Sequence, residues 1–516
     1  MSRPASTPAT DNEPELSHAA RGGLFSVAGA ATSAISGFAL TFILTRTFGQ
    51  SGSGVVLQAI AIFTIALGLA RTGMDTTGVW LLPRLALTGA SRIRGACTAL
   101  LLPTLVVGLL VAAAITFLFP FLDTSHDVYS RQLVQAVQAT SWLLPCGAVM
   151  MVALAATRGL GNIIPYTLIG GAGLPGIRPV VVLVAAAAGG TAVLASVAWA
   201  APAAAAMVLS LLVLWRRIRT HELRAEVQGP WRPDRELTTR IWKFALPRWY
   251  SAGVEQSIIW FDVVLVGLMA GSGAAGVYGA ASRFVSAGLI ISTAMRMVVS
   301  PRFSALLSED KAREVQKLYT TTVTWITMLG VPIYGIFMFF PATIMGWFGE
   351  GFDSGALSLV ILCIGAIAFL VAGNVDALLT MSGRSGWMAF NKTVVLALNV
   401  AGNLVLVPLW GITGAAAAWA FSLVLDSALA SVESRIFLDI KFRAGRIFYA
   451  LAVSGGCVAT GSLSVIHFMG RTTASVFVAG TASLILLLLC CWLDRRRLGL
   501  TEIRLLAAGR DKSATA

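Results

Sequence analysis

Charge is what this chain has least of. Only 12% of its 516 residues are Asp, Glu, Lys or Arg, where a soluble domain carries about 25%, and 57% are hydrophobic. A soluble protein is excluded on that ground. Histidine is rarer still: His18, His126, His221 and His467 are the only four, all outside or near the ends of the long apolar runs, so neither a histidine metal site nor a central proton relay is legible. The six cysteines (Cys97, Cys146, Cys363, Cys457, Cys490, Cys491) lie in or beside apolar runs without a C-x-x-C pair, the pattern of packing residues and not of a metal or disulfide framework. No G-x-x-x-x-G-K-[ST] loop is present, which removes the usual ATP-binding device. No cofactor motif is found, and no residues are assigned to catalysis or metal binding.

What remains is apolar sequence cut into lengths that fit a bilayer. A helix needs about 20 apolar residues to cross a hydrocarbon core of roughly 30 Å. About fourteen such runs follow one another, from 22–45 to 474–493, with 136–157, 163–188, 241–269, 275–298 and 355–381 among them. The fold class is therefore an all-α polytopic membrane protein. The net charge of +14 could suggest nucleic acid as a partner, but the basic residues stand between spans and not on one solvated face, so they report topology. With the N-terminus in the cytoplasm, all but eight of the 38 Lys and Arg fall on the inner side. Arg46, Arg131 and Arg471 are the exceptions outside, and Arg178, Arg248, Arg283, Arg296 and Lys392 lie within spans. One helix more or fewer would scramble that alternation. External connections such as Ala270 to Ala274 are short and leave no room for an outer catalytic domain.

Three fragments recur at nearly one offset: Gly54-Val55-Val56 with Gly276-Val277-Tyr278, Leu82-Pro83-Arg84-Leu85 with Ser300-Pro301-Arg302-Phe303, and Ala198-Trp199 with Ala418-Trp419, separated by 222, 218 and 220 residues. Six helices per repeat return the chain to its starting side. The halves then share an orientation and relate by a pseudo-two-fold axis along the membrane normal. The expected organisation is a solvated cytoplasmic tail (1–21), a six-helix lobe (22–215), a basic cytoplasmic linker (216–240), a second six-helix lobe (241–438), two added transmembrane helices (439–493) and a second cytoplasmic tail (494–516).

The segment Gly273 to Phe284 (GAAGVYGAASRF), followed by Ser300 to Asp310 (SPRFSALLSED), Pro332, FGEGF (Phe348 to Phe352), MSGRSG (Met381 to Gly386) and Asn403 to Ala420 (NLVLVPLWGITGAAAAWA), resembles polysaccharide flippases of the multidrug, oligosaccharidyl-lipid and polysaccharide exporter superfamily. The resemblance spans most of the second half. It implies a bacterial inner-membrane flippase that moves a polyprenyl-pyrophosphate-linked oligosaccharide to the outer leaflet by alternating access, working beside a glycan polymerase or other assembly proteins. Within the same superfamily, a cation-coupled drug exporter and a lipid II flippase stay open. A membrane glycosyltransferase would need a carboxylate in an early external loop, and Thr47 to Ser53 holds none.

Charges inside the spans carry the functional content, because each costs at least about 2.5–3.5 kcal/mol near the bilayer centre. Arg248, Glu255 and Asp262 share one face of the seventh helix at seven-residue steps, and Arg178, Arg283, Lys392 and Asp426 sit in other spans. Arg178, Arg248, Arg283 and Lys392 are candidate ligands for a pyrophosphate, with interlobe ion pairing as the alternative. Glu255, Asp262 and Asp426 are candidates for a coupling proton or sodium ion. Trp249 and Trp260 flank the charged face and are candidate substrate contacts, unlike the tryptophans near span ends, which suit an interface belt. The string Gly171 to Gly176 fits G-x-G-x-x-G, yet inside a span it reads as a flexible break beside Arg178.

Overall fold

The computed structural model describes residues 12–122, 128–309, 311–382, 384–440 and 444–494, with no strand among them. Lipid supplies no hydrogen bonds to the backbone, so spanning segments must satisfy their own N–H and C=O groups, and helices do this locally. In order the helices are α1 (Asn12–Ala70), α2 (Met74–Thr88), α3 (Ile93–Leu118), α4 (Val128–Ser141), α5 (Leu144–Gly159), α6 (Leu174–Ala187), α7 (Ala192–Ala200), α8 (Pro202–Ala225), α9 (Arg235–Ser308), α10 (Ala312–Phe339), α11 (Pro341–Gly346), α12 (Ala356–Ala372), α13 (Val375–Met381), α14 (Ser385–Trp410), α15 (Ile412–Leu438), α16 (Ala444–Met469) and α17 (Thr473–Leu493).

Eleven helical runs among the described residues are long and apolar enough to cross a membrane, and a twelfth is the pair α4 and α5, bent by 45°. Two of the runs are too long for one crossing. Gly29–Thr88 and Arg235–Ser286 have 60 and 52 residues, about 90 and 80 Å at 1.5 Å per residue. Inside α1 and α9 the break falls at a glycine, Gly49 (φ 64°, ψ −166°) and Gly271 (φ 88°, ψ 164°), in a backbone region only glycine enters without strain; the first run turns again at Thr72 and Gly73, between α1 and α2. Counted as two crossings each, they bring the number to the fourteen expected.

The two break glycines are themselves 222 residues apart, the offset of the Gly54 and Gly276 fragments. A Cβ on Gly54 would lie 1.7 Å from the Ser272 carbonyl oxygen, and one on Gly276 would lie 2.2 Å from that of Gln50. Since 50 and 272 are also repeat mates, the contact is reciprocal, as a two-fold between the repeats requires. Gln58 closes it, donating Nε2 to the Gly54 carbonyl at 3.2 Å and to the Ser272 hydroxyl at 3.3 Å. The FGEGF turn packs nearby: Phe348 and Phe352 are fully buried, Gly349 and Gly351 take positive φ, and Arg46 donates Nε to the Trp347 carbonyl at 2.8 Å. Arg46, an exception to the charge asymmetry, is thus anchored to the backbone.

Several expected boundaries move. Residues 12–21, read as tail, begin α1, and positions 1–11 and 495–516 lie outside the described residues. The linker read as 216–240 narrows to nine residues between Ala225 and Arg235. It is docked, since a Cβ on Gly229 would meet the Ser91 carbonyl oxygen at 1.6 Å and Trp231 lies under the Arg94 guanidinium at 5.1 Å. Arg94 in turn donates to the buried carboxylate of Glu222 at 2.6 Å. The span at 355–381 breaks at Gly373 (φ 71°) into α12 and α13. The expected break in the fifth span is a π-helical segment, Tyr166–Gly173, ahead of α6.

The chain divides into two compact units. The first holds residues up to Leu40, Phe63 to beyond α3, and Val134–Gly253; the second holds Thr41–Ile62, a short stretch ending at Leu133, and Val254 onward. The early segment Thr41–Ile62, expected in the first lobe, belongs with the second half, where Gly54 packs on Ser272 and on its repeat mate Gly276. The first unit's core joins Leu81, Leu82, Ile93, Leu100 and Ile241. A core of the second joins Phe303, Tyr319, Leu378, Leu379 and Ile447.

Gly54→Ala or Gly276→Ala should destabilise the protein by about 1–3 kcal/mol or more, since neither backbone can yield. Gly37→Ala and Gly455→Ala, helical positions with open space around them, should be neutral or slightly stabilising. Thermal melting of purified protein in detergent separates the two pairs.

Candidate functional site

Each unit holds a cavity of its own lined by ionisable side chains. That of the first has about 310 Å³ and is lined by Asp75, Thr76, Arg158, Tyr166, Phe244 and Arg248, among others. Gly73 (φ 70°) opens α2, and a Cβ there would stand 2.5 Å from the Ala245 carbonyl oxygen and 2.8 Å from the Trp249 nitrogen. The missing side chain lets α9 approach closely enough to bring Arg248 to the cavity. Trp249 secures that approach by donating its indole N–H to the Leu69 carbonyl at 2.8 Å, which also accepts from the Thr72 backbone N–H at 3.2 Å. Arg158, in the last turn of α5, lies 5.4 Å from the Tyr166 ring centre, and Arg248 lies 5.7 Å from that of Phe244.

Among the described residues the ion pairs of this unit are Arg71 with Asp75, Arg92 with Asp234 and Glu236, and Arg94 with Glu222. Arg158 and Arg248 have none. The cavity therefore carries one more base than acid, and its single acid is already engaged by Arg71 at 3.0 Å.

The cavity of the second unit has about 470 Å³, and its walls include Glu255, Arg296, Asp376, Lys392, Trp419 and Asp426. Lys392 on α14 donates to Asp376 on α13 at 3.1 Å and forms a short contact with Asp426 on α15. The Gly373 break makes this possible by detaching α13 from α12. Asn374 then holds the start of α13 to α9, accepting from the Ser292 hydroxyl at 2.8 Å and donating to the Ser292 carbonyl at 3.3 Å. Beside the triad, Asn391 donates to Glu433 at 2.8 Å. Acids outnumber bases by one in this cavity.

The sequence candidates separate on this geometry. Glu255, Lys392 and Asp426 come together in the second cavity, whereas Arg248 lines the first. Asp262, on the same face of α9 as both Arg248 and Glu255, lines neither. It is 2% exposed and accepts from Tyr278 at 3.2 Å and from Asn403 at 2.8 Å. Arg178 donates Nε to the Trp199 carbonyl at 3.1 Å and lies 3.9 Å from the centre of that residue's ring. Arg283 stands 4.5 Å over Trp260. Neither arginine lines these two cavities, and Trp249 and Trp260 are held in the contacts just described.

Sequence reasoning passed over Arg158, Asp376 and Arg296 as ligands. Arg158 falls one residue past its predicted span and reads as a topological marker, and Asp376 sits near a span end where no periodicity joins it to Lys392. Arg296 was visible as an intramembrane cation without a pattern to single it out.

Residues 43–351 match the model of a family described as polysaccharide biosynthesis protein. A Haloferax volcanii protein named "Probable low-salt glycan biosynthesis flippase Agl15" is 26% identical over 189 residues, 36% of this chain and 40% of that protein's length. Among solved structures, the lipid II flippase MurJ in an inward closed conformation superposes with a TM-score of 0.70 at 13% identity, covering 94% of this chain and 99% of that one. An inward-facing multidrug resistance MATE family transporter of the MOP superfamily gives 0.61 at 14%, covering 81% and 98%. The fold is shared with both. The family match takes in more than half of the chain, from Ile43 within α1 to Gly351 in the FGEGF turn, and the chain belongs to the polysaccharide biosynthesis protein family.

Proposed function

We propose that the protein is a flippase that carries a polyprenyl-pyrophosphate-linked oligosaccharide from the cytoplasmic to the outer leaflet of a bacterial inner membrane, with both termini cytoplasmic, and that it acts as a transporter and not as an enzyme. The observation that carries this reading is the pair Arg158 and Arg248, two guanidinium groups without ion-pair partners among the described residues, lining one cavity of an apolar helical unit. Both side chains are exposed, so their charges are open to a ligand of the opposite sign. Guanidinium groups bind phosphate oxygens through paired, charge-assisted hydrogen bonds, and the polyprenyl tail of such a substrate can stay in lipid. A membrane potential negative inside favours outward movement of an anion by about 2.3 kcal/mol per charge per 100 mV, so export driven this way needs no nucleotide. An excess of base in the first cavity also weighs against a cationic drug as cargo.

The second unit supports a complementary role. Lys392 is balanced by two carboxylates, and Glu255 and Asp426, which line its cavity, are acids for a coupling proton or cation as the protein alternates between its two openings, whereas Asp262 is held by Tyr278 and Asn403. In this reading Arg178 and Arg283 hold helices through their tryptophans.

Arg158→Ala and Arg248→Ala should each lower export by about ten- to a hundredfold, the loss expected for charge-assisted hydrogen bonds, at unchanged protein abundance. Arg178→Ala and Arg283→Ala should act mainly through abundance. The check is the lipid-linked glycan retained in the inner leaflet of a deletion strain carrying each variant. Retention of a peptidoglycan precursor in its place would point to lipid II as cargo, and full export by both Arg158→Ala and Arg248→Ala would overturn the head-group assignment.

Lys392→Met should destabilise the fold by about 3 kcal/mol, because it leaves Asp376 and Asp426 facing each other without their cation. Adding Asp426→Asn should recover part of that loss in a thermal melt. If the single variant melts like the parent, the triad is not structural.

A further inference from the structure

The two repeat-related tryptophans have different surroundings. Trp199 is 5% exposed, with the Arg178 guanidinium 3.9 Å from its ring centre and Phe63 edge-on at 5.4 Å. Its mate Trp419 lines the second cavity half-buried and makes no ring, cation or hydrogen-bond contact among the described residues. Around it stand groups with unused bonding capacity. Lys392 holds both Asp376 and Asp426 through Oδ2. That leaves Oδ1 of Asp426 buried without a partner, although the side chain is only 5% exposed. Nε of Arg296 is likewise buried and unpaired.

A half-buried indole without an aromatic or cationic partner, on one cavity wall with buried acceptors, matches one ligand chemistry closely. A pyranose ring has an apolar C–H face that packs on an indole, and its rim hydroxyls donate to carboxylates, which when ionised can only accept. An unpaired buried acceptor costs about 1–3 kcal/mol, so a hydroxyl that reaches it binds with gain. The cavity, at about 470 Å³, lies within the about 300–1,000 Å³ typical of small-ligand sites. Its excess of acid favours a neutral or amino sugar and opposes a uronic acid.

We infer that the second cavity is a carbohydrate subsite, in which Trp419 stacks on a neutral or amino sugar ring of the substrate and Asp426, with Asp376, accepts its hydroxyls. This rests on the flippase reading and adds to it the part of the substrate that the phosphate-binding arginines do not recognise.

The test measures binding of three soluble probes to the full chain in detergent: farnesyl pyrophosphate, the methyl glycoside of N-acetylglucosamine and the methyl glycoside of glucuronic acid. The N-acetylglucosamine glycoside should bind about tenfold more tightly than the glucuronic acid glycoside. Trp419→Ala should abolish that preference while leaving farnesyl pyrophosphate binding unchanged, Trp419→Phe should keep part of it, and Asp426→Asn should weaken binding of the N-acetylglucosamine glycoside. A preference that survives Trp419→Ala, or no preference while farnesyl pyrophosphate binding still depends on Arg248, overturns the subsite alone. Equal weakening of all three probes by Trp419→Ala also overturns it. If farnesyl pyrophosphate does not bind in an Arg248-dependent way, the head-group reading fails instead.

Discussion

A guanidinium or carboxylate placed among hydrocarbon chains must be paired, hydrogen-bonded or wetted, and the functional content of this fold follows from how each intramembrane charge meets that demand. Arg178 and Arg283 meet it with tryptophan faces, and Arg178 also with a backbone carbonyl. Asp262 meets it with a tyrosine and an asparagine, and Lys392 with two carboxylates. Arg158 and Arg248 are left in a cavity with aromatic rings and no carboxylate of their own. On that contrast rests the proposed head-group role of Arg158 and Arg248.

Glycine sets the scaffold on which those charges stand. Gly49 and Gly271 turn two long helical runs into four crossings, and Gly54 and Gly276 let repeat-related backbones touch. Gly73 admits α9 beside α2 and so places Arg248, while Gly373 releases α13 so that Asp376 can meet Lys392. At each of these positions a side chain would collide with a neighbour or force strain, so small changes in the scaffold reach the cavities directly.

Much of this was legible before any coordinates. Span length and the distribution of Arg and Lys gave fourteen helices, and the Gly-Val fragments gave the 222-residue offset that the break glycines then reproduced. What periodicity cannot carry is a partner on another helix. The regular spacing of Arg248, Glu255 and Asp262 held as one face of α9, yet the three end in different surroundings because α9 belongs to two units. Lys392 read as a candidate pyrophosphate ligand or half of an ion pair, with Asp376 out of view as its partner because it reaches Lys392 only through a break at Gly373. Arg158 was hidden by one residue of boundary error. Trp419 was visible as a repeat marker, but its lack of an aromatic or cationic partner shows only beside the covered ring of Trp199.

The central claim is that Arg158 and Arg248 take the anionic head group of a lipid-linked glycan through the membrane. Its most direct measurement is translocation in proteoliposomes loaded with a polyprenyl-pyrophosphate-linked oligosaccharide, scored by the fraction that becomes accessible to a glycosidase on the opposite face. The account predicts fast exposure with the parent protein, further quickened by a potential that pulls anions to that face, and exposure no faster than in protein-free liposomes for Arg158→Ala combined with Arg248→Ala. Equal rates for the parent and the double variant, with both inserted and folded, would contradict it.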